Sequence, residues 1–120
     1  MNRAMADCVF CGIASGDIPA KVVARTDTVV AFRDINPQAP LHVQVIPVRH
    51  LRDAASLEPE DASLLAEMFQ VAKGLAEEGG YDPETRGYRL VFNVGPDSQS
   101  TVPHLHLHVL AGRSMNWPPG

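Results

Sequence analysis

The residues with the clearest chemical potential are three histidines that alternate with apolar residues near the end of the chain: His104, His106 and His108. Side chains alternate between the two faces of a β-strand, so a strand through this segment projects all three imidazoles from one face. The apolar residues face the other way, toward a core: Leu105, Leu107 and Val109. Imidazoles grouped in this way either bind a metal ion or act together at a phosphorus atom, one of them as the nucleophile.

A polar loop directly before these histidines favours chemistry at phosphorus. It reads Gln99-Ser100-Thr101 and offers an amide and two hydroxyls. Such groups suit phosphate oxygens and a leaving group, whereas they are poor ligands for zinc. We therefore expect nucleophilic catalysis at phosphorus and no catalytic metal.

A second group of chemical interest is the pair Cys8 and Cys11, spaced C-x-x-C. In a reducing compartment such a pair more often binds a metal or acts in redox chemistry than forms a structural disulfide. Together with His50 and His104 it would complete a closed, structural Cys₂His₂ zinc site. Spacing alone leaves zinc and two free cysteines as about equal alternatives.

The elements that must position these residues follow from hydrophobic periodicity and from turn residues. Predicted strands cover 21–25, 28–32, 41–46, 88–94 and 104–110, and one long helix covers 59–78. Asp27 lies between the first two strands as a turn, and Gly79-Gly80 closes the helix. A short N-terminal helix ends before the Gly16–Pro19 segment. Strands on both sides of one long helix predict an α+β fold with an antiparallel sheet of about five strands.

Length and composition limit the possible functions. The chain has 120 residues, 45% of them hydrophobic and 20% charged, which predicts one globular domain over 1–120. Within it, 1–15 is the N-terminal segment with the cysteines, and 114–120 is a tail. The net charge of −4 argues against a nucleic-acid partner, because phosphate backbones require a basic face. No apolar run predicts a membrane span or a secretory signal, so a cytoplasmic location is expected.

The segment His104–Leu110 resembles the signature of the histidine-triad family, which is His-x-His-x-His followed by two apolar residues. The resemblance extends along nearly the whole chain and points to the nucleoside phosphoramidase branch, also called the histidine-triad nucleotide-binding branch. It is carried by Ile18-Pro19-Ala20-Lys21, Ala31-Phe32-Arg33-Asp34-Ile35, Pro37-Gln38-Ala39-Pro40 with His42, Val45-Ile46-Pro47 and Trp117-Pro118-Pro119-Gly120.

The resemblance implies a role for each matching residue. His106 is the nucleophile that forms a nucleotidyl intermediate, His108 contacts the phosphate, and His42 supports the nucleophile. The remaining nucleotide contacts are assigned by position: Asp34 to the ribose hydroxyls; Ile18, Phe32 and Ile35 to the base; Asn93, Gln99, Ser100 and Thr101 to the phosphate. Members of the branch are homodimers, and the tail with Trp117 reaches toward the partner's site. Several bacterial members have zinc at positions matching the four ligands proposed above, which favours zinc.

Two departures from the family pattern affect these assignments. The usual loop is Gly-Gln-Ser, then two residues, then the first triad histidine. Counting back from His104, Gln99 replaces the glycine, Ser100 takes the amide position and Thr101 the hydroxyl position. A shift of one residue would instead return Gln99 and Ser100 to the usual roles. The second departure is Gln44, where the animal members usually have an apolar residue.

The function implied is hydrolysis of the P–N bond of purine nucleoside 5′-phosphoramidates. Candidate substrates are AMP-NH₂, AMP-lysine-like adducts and aminoacyl-adenylate adducts. One alternative is a dinucleoside polyphosphate hydrolase, which uses the same nucleophile with another leaving group. The other is a zinc-bearing nucleotide-binding or scaffold protein with incidental turnover.

Overall fold

An antiparallel sheet of five strands lies at the centre of the computed structural model, which describes residues 7–120. The first six residues of the predicted 1–120 domain lie outside this range. In chain order the elements are α1 (Val9–Ser15), β1 (Val22–Arg25), β2 (Val29–Arg33), β3 (Leu41–Pro47), α2 (Ala62–Glu78), β4 (Arg89–Phe92) and β5 (Leu107–Ala111). The strand order is β1-β2-β3-β5-β4, with every neighbouring pair antiparallel. The predicted α+β fold, long helix and short N-terminal helix are confirmed.

Each face of the sheet is covered by one helix, because alternate residues of β2 and β3 are apolar on both sides. Against α2 lies the larger core, formed by Val29, Ala31, Val43, Val45, Met68, Ala72, Leu105, Leu107 and Val109. Against α1 lies a smaller core, formed by Phe10, Ile13, Ala14, Val30, Phe32 and Ile46. Since α1 covers only part of its face, the rest of that face is left for polar side chains.

The predicted boundaries of three elements are wrong. Strand β4 ends at Phe92 rather than at 94. The long helix begins at Ala62, and Pro59–Asp61 before it forms a 3-10 turn in which the Asp61 carboxylate accepts the Glu58 N–H. The last strand begins at Leu107 rather than at 104. Residues 104–106 do not pair with a neighbouring strand, because the Leu105 N–H donates instead to the Leu51 carbonyl at 2.6 Å. The alternation survives, since Leu105 still packs in the core against α2.

The described residues contain no helix that is both long and apolar enough to cross a bilayer.

Candidate active site

Strand pairing brings the polar side chains of β3 and β5 together on the face that α1 leaves partly open. In the register of this pair, Gln44 lies opposite His108, and Phe32 of β2 lies opposite Gln44. His42 is two residues before Gln44, and therefore projects from the same face. A single surface thus carries the two strand histidines next to the aromatic ring of Phe32.

The hydrogen bonds of His42 determine which of its nitrogens carries the proton. The backbone N–H of Gln38 donates to His42 Nδ1 at 3.0 Å, so Nδ1 must have a lone pair. The proton of a neutral His42 is therefore on Nε2, which lies 2.9 Å from His108 Nδ1. Because His108 Nδ1 accepts this bond, the proton of neutral His108 is on Nε2. His108 accordingly presents an N–H donor on the far side of its ring.

His106 carries its proton on Nδ1, the opposite ring nitrogen from His108. Its Nδ1 lies 2.7 Å from the carbonyl oxygen of His104, and a carbonyl can only accept, so Nδ1 carries the proton. The lone pair of neutral His106 is then on Nε2. The rings of His106 and His108 pack edge to face with centroids 5.1 Å apart. The rings that carry this lone pair and the N–H donor of His108 are therefore in contact.

Burial keeps two of these imidazoles neutral. It lowers the pKa of His108 to about 4, assisted by the neighbouring His106 and His42 and opposed by the Asp34 carboxylate. Burial also lowers the pKa of His42, again opposed by Asp34. Near neutral pH both rings are uncharged, which agrees with the tautomers that the hydrogen bonds require.

Asp34 follows β2 and is held in place by two donors. The Gln44 side-chain amide donates to Oδ2 at 2.8 Å, and the Asn36 backbone N–H donates to Oδ1, also at 2.8 Å. The same Oδ2 lies 3.4 Å from His42 Nε2. Gln44 contributes its amide N–H₂ here, while its Oε1 is buried without a hydrogen-bond partner among residues 7–120. Asp34 also borders a cavity of about 660 Å³ together with Ile35 and Lys21.

The loop at 99–101 before the histidines has an unusual backbone conformation and two hydroxyl groups. Gln99 has φ 65°, in the left-handed region where a glycine is least strained. The Ser100 and Thr101 hydroxyls make no hydrogen bond with any residue in the described range, so both remain available to a ligand. Thr101 borders two cavities, of about 540 and 340 Å³, and Ser100 borders the second. Asn93, just after β4, is half-buried.

A separate cluster next to this site contains the predicted zinc ligands Cys8, Cys11, His50 and His104. His104 Nδ1 lies 3.3 Å from Cys8 Sγ, 3.5 Å from Cys11 Sγ and 3.2 Å from His50 Nδ1. Cys11 Sγ lies 3.3 Å from His50 Nδ1. The edges of a zinc-centred tetrahedron of these ligands measure about 3.3–3.7 Å. The spacing therefore fits a metal ion bound by all four side chains.

The chemistry of the donors also fits zinc. His104 Nε2 lies 3.0 Å from the Pro47 carbonyl, so it carries the proton and Nδ1 directs its lone pair into the cluster. Burial and the neighbouring Cys8 raise the pKa of the Cys11 thiol to about 11, an effect that a cation at the centre would reverse. Two thiolates and two imidazoles, with no open position, form a structural type of zinc site.

Comparison with known proteins identifies the family. A family model described as "Scavenger mRNA decapping enzyme C-term binding" matches residues 7–117. A solved HIT family hydrolase from Legionella pneumophila Philadelphia 1 is 47% identical, with a TM-score of 0.91, and the match covers 95% of this chain and 100% of that chain. The chain belongs to the histidine-triad family.

Two plant proteins are similar to this histidine-triad chain. The maize (Zea mays) "14 kDa zinc-binding protein" is 44% identical over 114 residues, which cover 93% of this chain and 87% of the relative. "Adenylylsulfatase HINT1" of Arabidopsis thaliana is 41% identical over 114 residues, covering 93% of this chain and 76% of the relative.

The residues that the triad resemblance assigns to the base are not all brought together. Phe32 is buried, Ile18 is partly exposed against Gly12, and Ile35 is fully exposed at the rim of the cavity beside Asp34. Trp117 in the tail is 81% exposed.

Sequence reasoning missed Phe10, whose ring centroid lies 5.3 Å from that of Phe32 and 5.3 Å from that of His106. A usable signal was present, because Phe10 and Ile13 are three residues apart in the short helix and therefore share a face.

Proposed function

We propose that this histidine-triad protein hydrolyses the P–N bond of purine nucleoside 5′-phosphoramidates through a nucleotidyl intermediate on His106. The observation that carries the proposal is the pair of opposite tautomers. Because the His104 carbonyl accepts the Nδ1 proton of His106, the lone pair of His106 is on Nε2. Two successive hydrogen bonds, from Gln38 to His42 and from His42 to His108, place the proton of His108 on its Nε2. A nucleophile and a hydrogen-bond donor are thus available together without any ionisation.

In the first step, His106 Nε2 attacks phosphorus, the P–Nε2 bond forms and the P–N bond of the substrate breaks. The His108 Nε2–H donates to a phosphoryl oxygen as charge develops there. The departing nitrogen takes a proton from the Thr101 hydroxyl, or from Ser100 if the loop is shifted by one residue. Water then attacks phosphorus, returns a proton to that hydroxyl and releases His106 with the nucleoside monophosphate.

The nucleoside is bound by residues in β2 and in the segments before and after it. Asp34 accepts hydrogen bonds from the ribose hydroxyls, since Gln44 and Asn36 hold its carboxylate in a fixed orientation. Phe32, Ile18 and Ile35 contact the base. Additional contacts to the phosphate come from Asn93, Gln99 and Ser100. These roles are proposed from position in the family pattern.

A second candidate reaction is cleavage of adenylyl sulfate, favoured by the name of the Arabidopsis relative. The first step would be the same, but sulfate needs no proton to depart, so the loop hydroxyls would matter less. A dinucleoside polyphosphate is the third substrate to test, and a nucleotide-binding scaffold with incidental turnover is the non-enzymatic alternative. Comparison of kcat/KM for the three substrates distinguishes these functions.

We assign the four-ligand cluster to structural zinc, and the related maize protein is named a zinc-binding protein. Bound there, zinc would tie the N-terminal helix α1 to the residues that precede β5. No step of the proposed reaction involves it.

We also propose that the protein acts as a homodimer. Strand β4 is at the edge of the sheet, and Leu90 on it and Phe69 on α2 are exposed apolar side chains. An open strand edge beside apolar surface suits pairing with a second copy. The exposed Trp117 could then reach a partner's site. Sedimentation analysis at micromolar concentration tests this, and a monomer would contradict it.

The decisive test of the reaction is His106→Gly. Without the nucleophile, turnover should fall by at least about 10³-fold while the nucleoside monophosphate still binds, because the pocket residues are unchanged. Mass spectrometry of wild-type protein quenched during turnover should detect one nucleotidyl group on His106. An active His106→Gly protein would exclude the mechanism.

A further inference from the structure

Phe10 lies between the two cysteines of the metal site and also contacts the proposed nucleophile. Its ring packs edge to face against His106, with centroids 5.3 Å apart and planes at 85°. It makes a similar contact with the metal ligand His104, at 5.9 Å and 72°. Phe10 is only 7% exposed, so these contacts are part of the smaller core.

A second link between the two sites runs through His104. Its imidazole belongs to the metal cluster, with Nε2 donating to Pro47 and Nδ1 facing the cysteines. Its carbonyl accepts the Nδ1 proton of His106. His104 therefore directs its own Nδ1 lone pair toward the metal site and also determines the tautomer of His106.

We propose that Phe10 is a positioning residue for His106, and that metal binding by Cys8 and Cys11 holds Phe10 in that position. The inference rests on the proposed role of His106. The ring of His106 is fixed by one hydrogen bond, to His104, and by edge contacts from Phe10 and His108. Removing the contact from Phe10 leaves the ring free to rotate about its Cβ–Cγ bond, which breaks the Nδ1 hydrogen bond to the His104 carbonyl and puts carbon atoms where the two nitrogens lay. Without that bond, neither tautomer of His106 is favoured.

The short length of α1 explains why a metal ion is needed to hold Phe10 against His106. Helix α1 has only seven residues, and it begins at Val9 with Cys8 as its N-cap. A helix of this length is unstable by itself in water, so its position depends on tertiary attachment. The cysteines lie on either side of Phe10 in the sequence, and a metal ion would attach both to His50 and His104. Catalytic groups that are displaced by about 1 Å lose on the order of 10²-fold in rate.

The test compares Phe10→Leu with Ile13→Ala, a matched control that also removes buried apolar volume from α1. ¹⁵N NMR of the histidine rings, without substrate, reports the tautomer of His106, and rapid quench reports the rate of adduct formation. For Phe10→Leu with zinc bound at one per chain, we expect mixed tautomers at His106 and adduct formation slowed about 10- to 100-fold. Ile13→Ala should keep a single tautomer and a rate within about threefold of wild type.

Chelation of wild-type protein tests the metal half of the inference. The metal-free protein should show the same mixture of tautomers as Phe10→Leu, and added zinc should restore a single form. A single tautomer in the metal-free protein would overturn this half. Equal behaviour of Phe10→Leu and Ile13→Ala would overturn the role of Phe10.

If Phe10→Leu does not fold, Phe10→Met has a similar volume on an unbranched, more adaptable side chain and gives the same comparison. If wild-type protein forms no adduct at all, the proposed function fails, while the tautomer measurements still decide the inference.

Discussion

The low pKa of His108 makes a quantitative prediction about stability. In the unfolded chain this imidazole titrates at its ordinary value of 6.5, whereas burial lowers the pKa in the folded protein to about 4. The groups facing it are His106, His42 and Asp34; the two histidines lower its pKa further and the aspartate opposes them. Between these two pH values the unfolded chain binds more protons, so the free energy of unfolding falls as the pH is lowered.

The size of the effect follows from the two pKa values. A shift from 6.5 to about 4 corresponds to about 3 kcal/mol when the pH is below both values. At pH 5 about 2 kcal/mol of this should already be lost, and at pH 7.5 almost none. The His108 side chain is only 17% exposed, so solvent screening reduces the figure little.

Urea unfolding at pH 7.5 and pH 5, with zinc present, measures this contribution when wild type is compared with His108→Gln. The variant keeps a polar side chain but does not titrate, and both proteins retain the four metal ligands. Any common loss of zinc at low pH should therefore largely cancel in the comparison. We expect wild type to lose about 2 kcal/mol more than His108→Gln between the two pH values. An equal loss in both proteins would refute the reasoning.

Three further predictions concern the loop, Gln44 and the tail. Thr101→Val should slow substrates with poor leaving groups more than those with good ones; if only Ser100→Ala shows this graded effect in a kcat/KM series, the loop is shifted by one residue. Gln44→Leu should raise the KM of ribonucleotides about 5- to 20-fold, because Asp34 loses a charge-assisted hydrogen bond. The urea midpoint of Gln44→Leu should change little, since loss of the bond to Asp34 is offset by removal of the unpaired Oε1. An unchanged KM would contradict the role of Gln44. Deletion of Trp117–Gly120 should change substrate preference with the melting temperature unchanged within about 2 °C, and identical kinetics on every substrate would contradict a role for the tail.

The fold was predictable because hydrophobic periodicity is a local signal. The alternation from Leu105 to Val109 indicated which side chains face α2, and the structure places them there. The start of β5 was not predictable, because it depends on a hydrogen bond from Leu105 to the distant Leu51. The same applies to Asp61, which ends a separate turn before α2 by accepting the Glu58 N–H.

The metal ligands were predictable as residue types, and the family resemblance favoured zinc over two free cysteines. The tautomers were not predictable, because they depend on backbone groups that no motif includes, namely the Gln38 N–H and the carbonyls of His104 and Pro47. The contact of Phe10 with His106 also arises only when α1 packs on the sheet.

The bond from the Gln38 amide to His42 has a consequence for how the site tolerates mutation. A peptide N–H does not titrate at any pH the protein encounters, and it is the same for every residue except proline. The direction of the hydrogen bonds through His42 to His108 is therefore independent of the side chain at position 38. Substitution of Gln38 removes its side-chain bond to the Asn36 carbonyl, but any residue other than proline keeps the backbone donor to His42. Proline alone would remove that donor and leave the tautomers of His42 and His108 undetermined.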